Sequence, residues 1–212
     1  MTKGTLSGKH ALVTGGLGSI GTAFVAGLAA AGARVTVLDR PDLAPPRGHG
    51  WLGVDLNDLG SVEAKVSAAG PFDILINNAG LLVNKPFTEL TREDFEDCYS
   101  VNVISVMETV QAALGKINSG HIVNISSMGG FQGSAKFPGL TAYSSAKAAL
   151  CAFTEVFAEE YKDSSIKMNC LCLGAVQTKM LEKAFPGFKA EISPKEMGSY
   201  IYCFYRDNNN IF

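Results

Sequence analysis

The chain has 212 residues, enough for one domain with a real core and too few for two full ones. Charged residues make up 18% of it and hydrophobic residues 47%, which excludes a disordered chain. Its 18 basic and 20 acidic residues leave a formal charge of −2, and no run of Lys and Arg occurs, so no nucleic acid partner and no membrane surface is expected.

Read in order, short β-branched runs alternate with longer helical patterns. Strands are predicted at about 10–14, 34–39, 51–54, 73–77, 121–126 and 166–173, and helices near 19–31, 58–69, 91–115, 143–162 and 194–205. Runs such as Ile74-Leu75-Ile76 and Ile122-Val123-Asn124-Ile125 are apolar on both faces, as parallel strands covered by helices must be. The alternation predicts an α/β fold, a doubly wound parallel sheet of Rossmann type, as a single domain over residues 1–212. Between His10 and Arg34 lie 23 residues without a charge, long enough to span a bilayer. Four glycines crowded into positions 15–21 break any helix there, so the reading is strand, glycine turn, then helix. The second and third strands are separated by a loop containing Pro41, Pro45 and Pro46, where no regular helix fits, and that flank of any ligand cleft is expected to be open.

Five cysteines, Cys98, Cys151, Cys170, Cys172 and Cys203, lie in apolar segments rather than at framework spacings, which favours a reduced, cytoplasmic protein. Cys170 and Cys172 share one face of a strand, but no further ligand follows at a zinc spacing, so they read as core and no metal is expected.

Glycine is over-represented, at 23 residues or about 11% against a usual 7%. Part of the excess forms the turn Thr14-Gly15-Gly16-Leu17-Gly18-Ser19-Ile20-Gly21 between a strand and a helix. Such a turn lets backbone approach a pyrophosphate and aims free helix N–H groups at it. Asp39 ends the second strand, where dinucleotide folds place a carboxylate to accept the adenosine ribose hydroxyls. A 2′-phosphate would meet like charge there, so NAD is expected over NADP. Asp55-Leu56, after the third strand, either caps a loop or reaches the adenine edge. Tyr143 and Lys147 stand at i and i+4, one turn apart on one helix face. A cation that close would pull the phenol pKa down from about 10 by about two.

Jointly these pieces resemble the short-chain dehydrogenase/reductase family. The resemblance runs from about Lys9 to Thr178 and includes Asn77-Asn78-Ala79-Gly80, Asn102, Ser126-Ser127 and the stretch Gly174 to Thr178 in family order. It implies that Tyr143 transfers the proton of the substrate oxygen and that Ser127 hydrogen-bonds that oxygen. Lys147 would bind the nicotinamide ribose and lower the Tyr143 pKa, and Asn102 would hold a water that relays protons to Lys147. It further implies that the cofactor lies along Gly15, Leu17, Gly18, Ser19, Ile20, Gly21, Asp39, Asp55, Leu56, Asn78, Ala79, Gly80, Tyr143, Lys147, Gly174, Val176 and Thr178. The substrate would be a small secondary alcohol or ketone, with walls from Leu81 to Phe87, Met128 to Thr141 and Leu181 to Phe188. A homodimer or homotetramer through the helices at 91–115 and 143–162 would be usual.

The sequence departs from the family in several places. Ser19 stands where a glycine is usual, and Leu173-Gly174 replaces Pro-Gly. Ser127 and Tyr143 are 16 positions apart rather than the usual 13 or so, and a seventh strand is not completed after the helix near 194–205. Two other readings therefore stay open beside an NAD-dependent oxidoreductase: a catalytically weak dinucleotide-binding or scaffold protein, and an epimerase or dehydratase that uses the nicotinamide transiently.

Overall fold

The computed structural model describes residues 5–117 and 119–208. Strands β1 (His10–Thr14), β2 (Arg34–Asp39), β3 (Gly50–Gly53), β4 (Ile74–Asn77), β5 (Gly120–Ser127) and β6 (Ile166–Leu173) form one sheet in the order β3-β2-β1-β4-β5-β6, every pair parallel. Around it lie helices α1 (Ser19–Ala30), α2 (Leu59–Ala69), α3 (Arg92–Tyr99), α4 (Ser105–Leu114), α5 (Thr141–Glu160), α6 (Lys179–Ala184) and α7 (Pro194–Asn208). This is the doubly wound, Rossmann-like sheet that the strand and helix alternation predicts.

The period of two divides each strand between two cores. Ala11, Val13, Val35, Val37, Ile74, Ile76, Val123 and Ile125 pack on one face with Phe24, Val25 and Leu28 of α1. Leu12, Leu38, Leu75 and Ile122 pack on the other with Val62 and Val66 of α2, Val110 and Ala113 of α4, and Phe157 of α5. Burial of each of these large side chains is worth about 1.5–3 kcal/mol, so the two cores fix strand register as well as stability.

The uncharged stretch after His10 resolves into β1, a turn and α1, and among the described residues no helix is long and apolar enough to cross a membrane. No helix forms between β2 and β3, as its three prolines require, yet the two strands still pair in parallel from Thr36↔Gly50 to Asp39↔Gly53.

One expected helix is interrupted. The segment 91–115 divides into α3, a wide turn at Ser100–Ile104 with i→i+5 bonding, and α4. Buried Asn102 lies in that turn and donates from Nδ2 to the Cys98 carbonyl, 2.8 Å away and four residues back, where a regular helix would place a backbone donor. Two short 3₁₀ turns, Phe87–Glu89 and Met128–Gly130, and the six-residue α6 have too little periodicity to be read from sequence. Among the described residues β6 is an edge of the sheet.

Candidate functional site

Chain order reverses direction across the sheet between β1 and β4, which opens a crevice at the carboxyl ends of these neighbours. Thr14 and Asn78 tie the two ends together. The Thr14 hydroxyl accepts from the backbone N–H groups of Asn78 (3.0 Å) and Ala79 (3.1 Å), and Asn78 Nδ2 donates to the carbonyls of Thr14 (3.1 Å) and Gly15 (2.9 Å). Into this clamp the glycine turn fits without side chains. Gly15 has φ +62°, and a Cβ there would lie 2.8 Å from Ala79 Cα; a Cβ on Gly21 would lie 2.1 Å from the Gly15 carbonyl oxygen. The turn leads into α1, whose N-cap residue is Gly18 with no side-chain cap. The N–H groups of Ser19, Ile20 and Gly21 precede the first helical bond, Thr22 N–H to Gly18 O, and point an unmatched positive helix end at the cleft. Ser19 takes ordinary helical backbone as the first residue of α1, so its position does not demand a glycine for conformational reasons.

The crevice opens into a cleft of about 1140 Å³. Its lining includes Gly15, Leu17, Gly18, Ser19, Ile20, Asp39, Asp55, Leu56, Asn78, Ala79, Gly80, Ser127, Tyr143, Lys147, Gly174, Val176 and Thr178. Two expected site residues stand back from it: Gly21, packed under the turn, and Asn102, which is fully buried. Asp39 reaches across from the end of β2, its Oδ2 accepting from Leu17 N–H (2.9 Å) and its Oδ1 from Arg40 N–H (2.9 Å), so the carboxylate braces the turn it faces. Asp55 accepts from Asn57 N–H (2.9 Å) at the open flank left by the proline-rich loop. Thr178 caps α6, its hydroxyl accepting from Leu181 N–H at 3.1 Å, and Val176 is held by a bridge to Ile192.

At the other end of the cleft α5 presents Tyr143 and Lys147 next to Ser127, the last residue of β5. The Ser126 hydroxyl donates to the Lys147 carbonyl at 2.9 Å and fixes this turn of α5 to the strand. Ser127 Oγ accepts from Gly129 N–H at 3.1 Å, and the Ser127 hydroxyl favours the phenolate of Tyr143. Burial outweighs that influence and pushes the Tyr143 pKa up to about 12. Lys147, 4% exposed, is pushed down to about 8 by burial, and its Nζ donates to the Ile125 carbonyl at 2.9 Å while lying 5.9 Å from the centre of the Tyr143 ring.

The expectation that Lys147 lowers the Tyr143 pKa is thus not met in this state. Spacing along the helix makes the two side chains neighbours, but a shared low-dielectric pocket raises the phenol and depresses the amine, and the ammonium faces a carbonyl. Asn102 is buried against the loop after β4. Its Nδ2 donates to the carbonyls of Leu81 and Cys98 (2.8 Å each) and its Oδ1 accepts from Leu81 N–H at 3.2 Å, so it anchors the loop that follows β4. It adjoins Lys147 through the gap beside Gly80, where an added Cβ would lie 3.0 Å from Asn102 Oδ1 and 3.4 Å from Lys147 Nζ.

The mouth beyond these groups is apolar. Met128, Phe137, Met180 and Phe188 line it while remaining 40–55% exposed. The sequence points to the segments holding Met128, Phe137 and Phe188. Arg40 and Leu43 line the cleft at the flank left by the proline-rich loop; Asp97, Val101 and Met180 also line it, and nothing in their local sequence signals it.

The glycine turn, the strand-end clamp and the Tyr143–Lys147 turn of α5 occur together in one protein family. A sequence profile described as short chain dehydrogenase matches residues 9–188. The chain belongs to the short-chain dehydrogenases. L-2,3-butanediol dehydrogenase of Corynebacterium glutamicum is 35% identical over 195 residues, covering 82% of this chain and 74% of that protein. L-xylulose reductase of Bos taurus is 35% identical over 190 residues, covering 85% and 77%. A solved short-chain dehydrogenase/reductase from Serratia marcescens superposes with a TM-score of 0.82 at 28% identity, covering 95% of this chain and 91% of that one. Short-chain dehydrogenases are oxidoreductases that use a nicotinamide dinucleotide, and this cleft fits such a group: a turn with no room for a Cβ at Gly15, Gly16 or Gly21, open helix N–H groups for a pyrophosphate, and a carboxylate at the end of β2.

Proposed function

We propose that this short-chain dehydrogenase interconverts a secondary alcohol and a ketone with NAD, and that Tyr143 is its acid/base. The observation that carries the reading is that Ser127, Tyr143 and Lys147 line one cleft together with the glycine turn and Asp39. Gly15, Leu17, Gly18, Ser19, Ile20 and Gly21 would cradle the pyrophosphate. Asp39 would accept from the adenosine ribose, with Asp55 and Leu56 at the adenine. Asn78, Ala79, Gly80, Lys147, Gly174, Val176 and Thr178 would surround the nicotinamide half. The bound nicotinamide would supply or accept the hydride.

The chain's own residues do the rest. A phenol with a pKa near 12 is protonated at neutral pH, so Tyr143 stands ready as the acid that protonates a ketone oxygen, while Ser127 donates a second hydrogen bond to it. Developing negative charge on that oxygen would meet two preorganised donors. In the alcohol-oxidising direction the same phenol must first lose its proton, so that direction gains from alkaline pH. Lys147, cationic below about pH 8, is held beside the phenol by its bond to the Ile125 carbonyl, where it would bind the nicotinamide ribose. Asn102 acts as a positioning residue, fixing the loop after β4 against the lysine.

The apolar mouth formed by Met128, Phe137, Met180 and Phe188 suits a substrate with a hydrocarbon portion beside its carbonyl. Exposed Ile104 and Val156, beside α4 and on α5, are where a homo-oligomer contact would be made. A screen of secondary alcohols at alkaline pH and ketones at neutral pH, each with NAD(H) and NADP(H), tests the proposal. Turnover of an alcohol–ketone pair, faster with NAD(H), is expected. Cofactor binding without turnover across the panel would instead support a binding or scaffold role, and conversion of a sugar-like substrate with no net change in NADH would support an epimerase or dehydratase.

A further inference from the structure

Further along α5, beyond the cleft, three cysteines that are distant in sequence come together. Cys151 lies one turn beyond Lys147 on α5, and Cys170 and Cys172 lie two apart on β6, hence on one face of the strand. Cys151 Sγ is 3.7 Å from Cys170 Sγ and 3.5 Å from Cys172 Sγ, and all three sulfurs fall within 4.8 Å of one another. Each is a free thiol and half-buried, and none lines the cleft. The sequence reading of Cys170 and Cys172 as plain core lacked the third member, which a helix delivers from 19 residues upstream.

Three thiolates on a tetrahedral ion with metal–sulfur bonds of about 2.3 Å stand about 3.8 Å apart. The observed sulfurs lie close to that triangle, so binding asks for adjustments of tenths of an ångström, up to about 1 Å, in flexible side chains. An all-sulfur set of three selects thiophilic cations over magnesium, calcium or manganese, which take oxygen ligands. All three are only partly buried, which leaves an approach from solvent.

We propose that Cys151, Cys170 and Cys172 form a binding site for a single thiophilic d10 cation such as zinc(II) or copper(I), completed by water where a fourth ligand is needed. On binding, three S–H bonds give their protons to solvent and three metal–sulfur bonds form, with no change in oxidation state. The site would clamp α5 to β6. It would also touch the catalytic turn through one hydroxyl, because Cys151 Sγ contacts Ser126 Oγ at 3.4 Å and Ser126 donates to the Lys147 carbonyl. This inference stands apart from the reading of the cleft, since none of its ligands lies there.

Cadmium(II) is a suitable d10 probe, because its thiolate complexes absorb in the ultraviolet. Titrating the reduced full chain anaerobically should produce a sulfur-to-cadmium charge-transfer band that saturates at one equivalent and is displaced competitively by zinc(II). Cys170→Ser and Cys172→Ser should each weaken binding by about 100-fold or more, since even outer-sphere partners of a metal contribute 10–100-fold. Cys98→Ser and Cys203→Ser should leave it unchanged. In the wild-type protein, where folding of a variant is not at issue, one equivalent of metal should protect Cys151, Cys170 and Cys172 from alkylation, read peptide by peptide, and leave Cys203 as reactive as before. Absence of a saturable band, survival of the band in Cys172→Ser, or loss of the thiols to a disulfide under reducing conditions would each overturn the proposal.

Discussion

Replacing Lys147 with Met keeps the length of the side chain and removes its charge. Burial lowers the lysine from its ordinary 10.5 to about 8 in the folded protein. Because the unfolded chain holds the proton more tightly, stability must rise with pH between about 8 and 10.5 as the folded amine becomes neutral first. At 1.36 kcal/mol for each tenfold difference in proton affinity, the buried ammonium costs about 3 kcal/mol at pH 7, where both states are protonated. At pH 10 the folded amine is mostly neutral and the remaining cost is about 1 kcal/mol. Urea unfolding of wild type and Lys147→Met at the two pH values isolates this group, since every other titration is common to both proteins. The lost hydrogen bond to the Ile125 carbonyl is lost equally at both. Relative to the variant, wild type should gain about 2 kcal/mol on going from pH 7 to pH 10. A difference that does not change with pH would refute the picture of a desolvated lysine held in the site against its own stability.

Two further substitutions probe the cofactor end. Asp39→Asn retains an oxygen to accept from Leu17 N–H but removes the charge; the ratio of kcat/KM with NAD to that with NADP should fall by about tenfold, corresponding to about 1.4 kcal/mol, and an unchanged ratio would mean that the carboxylate does not read the ribose. Gly21→Ala places a Cβ where the Gly15 carbonyl and Gly16 Cα already stand; it should lower stability by about 1–3 kcal/mol and weaken dinucleotide binding, and a variant with wild-type melting and Kd would show that the turn is not under this steric constraint.

What the sequence reveals depends on whether partners lie along one element or on several. The six strands and the long helices are legible because apolar periodicity is a property of consecutive residues, and both α1 and α5 begin within two residues of their expected starts. The glycine turn and the Tyr143–Lys147 pair are legible for the same reason. Three features are not. The wide turn at Ser100–Ile104 arises from a side chain, Asn102, that competes with its own backbone while also holding Leu81, a contact over 21 residues. The direction of the Tyr143 pKa follows from how deeply α5 buries it against β5, which helix spacing does not encode. The cysteine cluster is hidden likewise, because Cys151 and Cys170 meet only when α5 packs on β6.

The account rests on Tyr143 as the group that moves the substrate proton. Tyr143→Phe keeps the ring and removes the hydroxyl, so NADH binding, followed by the fluorescence of the bound nucleotide, should stay within about twofold of wild type, while kcat falls by at least about 100-fold, the lower bound for losing a positioned general acid. A variant that binds NADH and still turns over at the wild-type rate would contradict the assignment.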